Sequence, residues 1–223
     1  MSNRMFDAFV FDVDGTLADT FPLIINAFNE FARKYTGREW TLDELTSKFG
    51  PTETEIVGNN VAPHLRHEAV EFYYEAYEKL HSGVPLYDGI SELLGILKKR
   101  GAKLAIFTGK GKRSALITLK KLDILDLFDC VITGDDVANT KPSPEGIYKI
   151  FRSIGVDPKR TAMIGDHPAD IVSGREAGAY TVAALWHGYY NKKLASTEPD
   201  ISFENPRDMI IWIDEIFAAK SIN

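Results

Sequence analysis

Short apolar runs that end in Gly, Asp or Thr constrain this chain most. They are AFVFD (8–12), KLAIFT (103–108), DCVITG (129–134), TAMIG (161–165) and YTVAAL (180–185). Most are apolar almost without a break. A strand with one face in water alternates apolar and polar residues, so unbroken runs indicate strands covered on both faces, as in a parallel sheet. Helical patterns lie between the runs. GISELLGILKKRG (89–101) carries Ile90, Leu93, Leu94 and Leu97 on one stripe and stops at Gly101. KRSALITLKKLDI (112–124) repeats the pattern. SPEGIYKIFRSIG (143–155) offers Ser143 as a cap, Pro144 as first helical residue and Gly155 as a stop. PRDMIIWIDEIFAA (206–219) reads as a closing amphipathic helix with Trp212 on its buried side. Strand and helix in alternation predict an α/β fold with a doubly wound, mostly parallel sheet.

One stretch breaks the rhythm. Residues 19–84 contain helical patterns and no convincing strand. PLIINAFNEFARKY (22–35) and HEAVEFYYEAYEKLHSG (67–83) predict long helices, and TLDELTSKFG (41–50) and PTETEIVGNN (51–60) predict shorter ones with Thr caps. The expected organisation is an α/β core from residues 1–18 and 85–223, with an all-helical insert at 19–84. VPLYDG (84–89) marks the re-entry. The insert leaves just after the first strand, and ligands bind at strand ends in open α/β sheets, so we expect it to be a lid.

The remaining composition narrows the setting. No apolar window reaches the length of a membrane span, and the start lacks a signal-peptide pattern. The one cysteine, Cys130, rules out an internal disulfide and is expected as a buried thiol in a cytoplasmic protein. A net charge of −6 argues against nucleic acid as a partner.

The first run drives into FVFDVDGTLADT (9–20), which places Asp12 and Asp14 two residues apart with Asp19 close behind. Crowded carboxylates repel, and burying them is unfavourable, so a divalent cation is the expected compensation. Three further polar sites follow predicted strands: Thr108 in IFTGK, Lys141 in NTKPSPE, and GDHPAD with Asp166 and Asp170 four apart. Parallel strands present their carboxyl ends at one sheet edge, so these residues can converge.

In that order the pattern resembles the haloacid dehalogenase superfamily, in its phosphatase branch with a helical cap after the first strand. The resemblance covers essentially the whole chain and implies a Rossmann-like core. It implies Asp12 as nucleophile, forming an aspartyl-phosphate, and Asp14 as general acid and then base. It assigns Mg2+ to the Asp12 carboxylate, the Asp14 carbonyl and Asp166, with Asp170 close by. Thr108, the Gly109 N–H and Lys141 would hold the phosphoryl oxygens. The implied partner is a small phosphorylated metabolite such as phosphoglycolate, with pyrophosphate as another candidate, and the protein would be a monomer or homodimer.

Relatives that cleave carbon–halogen or carbon–phosphorus bonds lack an acid at the position of Asp14, so phosphate chemistry is favoured. A sugar phosphomutase remains an alternative. A phospho-accepting regulatory domain is a more distant one, since such modules carry the phosphorylated Asp on a later strand and have no helical lid. Lys48, in a polar TSKFG context, is expected on the surface. TGKGKR (108–113) brings Lys110, Lys112 and Arg113 to a helix start, where they either hold a second anion of the substrate or offset nearby acids. His167 either touches the site or lies on the surface.

Overall fold

The computed structural model describes residues 6–188 and 191–218. Among the described residues, six strands form one sheet: β1 (Ala8–Phe11), β2 (Lys103–Phe107), β3 (Cys130–Ile132), β4 (Thr161–Gly165), β5 (Tyr180–Ala184) and β6 (Ile201–Phe203). Their order is β3-β2-β1-β4-β5-β6, and every neighbouring pair is parallel. The fold is α/β and Rossmann-like. β1 lies in the middle, paired with β2 and with β4.

The unbroken apolar runs are explained by what covers each face. Phe9 and Phe11 belong to a cluster with Leu93, Leu94 and Met209. Val10, between them in sequence, belongs to a second cluster on the other face with Ile147 and Ile150. Alternate side chains thus leave water in opposite directions, and neither direction tolerates a polar residue. The covering helices are α5 (Ile90–Lys99), α6 (Lys112–Lys121), α7 (Glu145–Ile154), α8 (Pro168–Glu176), a short α9 (Asn191–Ala195) and α10 (Pro206–Ala218). α7 begins at Glu145, one residue later than Pro144. Ser143 still supports its start, because its Oγ accepts from the Glu145 N–H at 3.3 Å. Trp212 is only partly buried and rests on Phe6 and Phe203. Cys130 is half-buried, and burial raises its thiol pKa.

The segment after β1 is helical throughout: α1 (Phe21–Thr36), α2 (Leu42–Thr46), α3 (Glu53–Asn59) and α4 (Arg66–Leu80), with a 3-10 turn at Pro63–Leu65. These helices enclose their own hydrophobic cluster, in which Phe28 packs on Tyr73 with ring centroids 4.7 Å apart. Thr41 caps α2 with a reciprocal bond to Glu44. The chain leaves and returns at one place, since Ala18 bridges Leu86 and the Tyr87 N–H donates to the Leu17 carbonyl at 3.0 Å. No described helix is long and apolar enough to cross a membrane.

Candidate active site

The sheet topology brings the far-separated polar residues to the carboxyl edge. Asp12 follows β1, and its N–H donates to the Ile164 carbonyl at 2.9 Å, which extends the β1–β4 ladder and fixes where its side chain emerges. Thr108 follows β2, anchored by its N–H to the Ile132 carbonyl. Asp166 follows β4, and Asp170 lies in the first turn of α8, fully buried. Its Oδ2 accepts from the His167 N–H at 3.0 Å. Two glycines make this crowding feasible. Gly15 has φ +78°, and a Cβ there would stand 2.3 Å from Asp166 Oδ2. A Cβ on Gly165 would stand 2.3 Å from Asp170.

Carboxylate oxygens of Asp12, Asp166 and Asp170 lie within 4.8 Å of one another, and all three residues are buried. Lys141 Nζ donates to Asp12 Oδ1 at 2.8 Å, to Asp170 Oδ1 at 2.6 Å and to the Phe107 carbonyl at 3.1 Å. One ammonium therefore bonds two acids of a cluster of three. The imbalance shows in their protonation. Burial is the main force lifting the Asp12 carboxyl to about 6; Lys141 opposes it and Asp170 and Asp14 add to it. Burial also drives Asp166 well above the usual range, helped by Asp12 and Asp170, with Lys141 and a 3.2 Å bond from Thr16 Oγ1 resisting. For Lys141, burial pulls its pKa down, but Asp12 and Asp170 outweigh it and raise it. A tight all-oxygen donor set short of positive charge fits a hard divalent cation such as Mg2+.

Asp14 points elsewhere. Its Oδ1 accepts from Thr20 Oγ1 and from Lys110 Nζ, the latter at 3.2 Å. Lys110 Nζ also stands 3.7 Å from Glu53 Oε1 of α3. Glu53 is itself held by the core, accepting from the Gly111 N–H at 2.7 Å and from Ser114 Oγ at 2.6 Å. Asp12, Asp14, Thr108, Gly109, Lys110, Lys141, Asp166 and Asp170 all line one cavity of about 260 Å³. Its opposite wall comes from the helical insert: Phe21, Ile24, Phe28, Phe49 and Ile56, with Glu53.

Several expectations are revised by this arrangement. Lys112 pairs with Asp136, and Arg113 grips Glu71 of α4 through both its nitrogens while lying over the Tyr74 ring. Of the two readings of Lys110, a hold on a second substrate anion or an offset to nearby acids, the second matches its ammonium's place between Asp14 and Glu53. Lys48 is not a plain surface residue: it is half-buried, 4.6 Å over the Trp40 ring and bonded to Asn60. His167 lines the cavity and caps α8, its Nδ1 accepting from the Ala169 N–H. Sequence reasoning missed Glu53, Thr16 and Thr20 as site neighbours. Glu53 reads as a first-turn acid behind Thr52, which is the commonest reason for such an acid.

Residues 9–184 match the family described as Haloacid dehalogenase-like hydrolase. The chain belongs to that family. Among curated relatives, a pyrophosphatase PpaX from Anoxybacillus flavithermus is 32% identical over 203 residues, covering 90% of this chain and 94% of the relative. Among solved structures, CbbY from Rhodobacter sphaeroides in complex with phosphate superposes with a TM-score of 0.78 at 25% identity, over 90% of this chain and 95% of that one. A predicted phosphoglycolate phosphatase from Haemophilus somnus shares the fold, with a TM-score of 0.77 at 22% identity, over 96% and 99% of the two chains. By family the protein is a haloacid dehalogenase-like hydrolase, and a pyrophosphatase is among its relatives.

Proposed function

We propose that this protein is a magnesium-dependent phosphatase of small phosphorylated metabolites, working through an aspartyl-phosphate on Asp12. The convergence of Asp12, Asp14, Thr108, Lys141, Asp166 and Asp170 on one cavity carries this reading. Residues 1–18 and 85–223 serve as the catalytic core and 19–84 as the cap. Asp12, Asp166 and Asp170, with the Asp14 carbonyl, would hold the Mg2+. When bound, the ion supplies charge neutralisation for the phosphoryl oxygens and for the acid cluster.

This chain's own groups do the rest. An Asp12 carboxylate oxygen attacks phosphorus, and the phosphorus–oxygen ester bond breaks. Asp14 gives its proton to the leaving alkoxide. It then takes a proton from water as that water attacks phosphorus, and Asp12 is regenerated. Thr108, the Gly109 N–H and Lys141 hold the phosphoryl oxygens. Lys110 steadies Asp14, its ion-pair partner. The apolar wall keeps bulk water away from the acyl phosphate.

The similarity to a pyrophosphatase supports a second reading, in which the cleaved bond is an anhydride. A sugar phosphomutase would use the same residues but pass the phosphoryl group to a second hydroxyl. Assay with Mg2+ and a panel of phosphorylated metabolites, following free phosphate, separates these. The D12N variant is expected to release none while remaining folded. Release near the wild-type rate would reject Asp12 as nucleophile, and isomerised phosphoester without free phosphate would favour the mutase. The half-buried single cysteine supports a cytoplasmic setting.

A further inference from the structure

We propose that the substrate's leaving group is an uncharged, largely apolar alcohol, so that the enzyme acts on simple organic phosphate esters without a second anion. The inference rests on the phosphatase reading above and specifies what lies beyond the phosphoryl group.

The argument starts from the cavity wall facing the acids. The insert contributes Phe21, Ile24, Phe28, Phe49 and Ile56 there, and its one charged lining residue is an acid, Glu53. A second carboxylate or phosphate on a substrate would have to leave water against that wall. Such a move is strongly unfavourable unless a cation meets the charge.

Among the described residues, the insert brings no cation to the cavity lining; Lys193 of α9 acts on His167 through its charge, but it is exposed and outside the lining. Between residues 20 and 82 there are six Lys/Arg, and none of them lines the cavity. Lys48, adjacent to Phe49, is turned onto Trp40 and Asn60. Arg33 and Arg38 pair with Glu39 and Glu44 on the insert's surface. The core supplies Lys141 and Lys110. Lys141 is held by Asp12 and Asp170, and Lys110 by Asp14 and Glu53, with side-chain exposures of 9% and 3%. His167 uses Nδ1 as an acceptor for the Ala169 N–H, which is the arrangement of a neutral ring. Five carboxylates and two ammoniums line the cavity. The phosphoryl group would be met by the bound Mg2+, Lys141 and backbone N–H groups. On the insert side of the cavity, a further anion would meet apolar carbon and the Glu53 carboxylate.

The cavity size agrees with this partner. About 260 Å³ accommodates a phosphoryl group with a short alkyl or aryl chain, not an extended polyanion.

The test is a comparison of kcat/KM, with Mg2+, among methyl, butyl and isoamyl phosphate, 2-phosphoglycolate and pyrophosphate. The expected order rises from methyl to isoamyl phosphate, with isoamyl phosphate about a hundredfold above phosphoglycolate and pyrophosphate. Two variants locate the effect. Phe49→Ala is expected to shrink the advantage of isoamyl over methyl phosphate by about tenfold. Phe49→Arg is expected to shift the isoamyl-to-phosphoglycolate ratio by about tenfold towards the anion. Phe49 is half-buried, and a melting curve checks that both variants fold. Preference for phosphoglycolate or pyrophosphate in the wild type would overturn the inference alone. Absence of phosphate release from all five compounds would overturn the phosphatase reading as well.

Discussion

Replacing Asp12, the proposed nucleophile, should make the metal-free protein more stable. In the folded chain the Asp12 carboxyl is lifted from 3.8 to about 6, chiefly by burial. The fold therefore binds this proton more tightly than the unfolded chain does. The associated stability is fully present below about pH 4 and is lost as pH rises through 6. The interval from 3.8 to about 6 corresponds to roughly 3 kcal/mol at neutral pH. Asp12→Asn substitutes a neutral group of the same shape. Lys141 is not stranded by it, since Asp170 and the Phe107 carbonyl remain as acceptors. In EDTA at pH 7.5 the variant should exceed the wild type by about 3 kcal/mol, and near pH 4 the two should coincide. Added Mg2+ should narrow the gap at pH 7.5 by favouring ionised Asp12. Urea unfolding followed by circular dichroism, at both pH values with EDTA or Mg2+, measures this. A less stable variant at pH 7.5 in EDTA, or an offset identical at both pH values, would refute the account.

Two further substitutions probe how the site is supported. Gly15→Ala forces a left-handed conformation, at a cost of about 1–2 kcal/mol, and its Cβ collides with Asp166; calorimetry should show Mg2+ affinity falling by about tenfold or more. Glu53→Ala leaves the Gly111 N–H and the Ser114 hydroxyl without their acceptor in a buried place. Urea unfolding should record a loss of about 1–3 kcal/mol, whereas an unchanged midpoint would mean that water replaces the carboxylate at no cost.

The sheet was legible because burial on both faces leaves a local trace. Phe9, Val10 and Phe11 must all be apolar when two clusters claim alternate side chains, and that requirement is written in consecutive letters. β6 escaped for the opposite reason. Ile201–Phe203 is three residues long at the sheet edge, with Ser202 exposed, so neither length nor pattern sets it apart from a loop. The insert's helices were visible through their period and their Thr caps, of which Thr41 closes a capping box.

The site was legible only on its catalytic side. Asp12, Thr108, Lys141 and Asp166 each follow a strand or its loop, so topology alone carries them to one edge. What faces them depends on partnership across long separations, which no local pattern records. Lys110 in TGKGKR looks like an anion receptor at a helix start, yet Asp14 stands 96 positions away in sequence and takes up its charge. Glu53 lies 58 positions before the Gly111 N–H that holds it. Arg113, which looked like part of the same receptor, instead pins the insert through Glu71. These pairings turn a basic motif into neutralised scaffolding. Each cation of this motif is met by an acid of the chain: Lys110 by Asp14 and Glu53, Lys112 by Asp136 and Arg113 by Glu71. On the reading proposed above, specificity falls to the apolar wall, which acts by excluding charge rather than by attracting it.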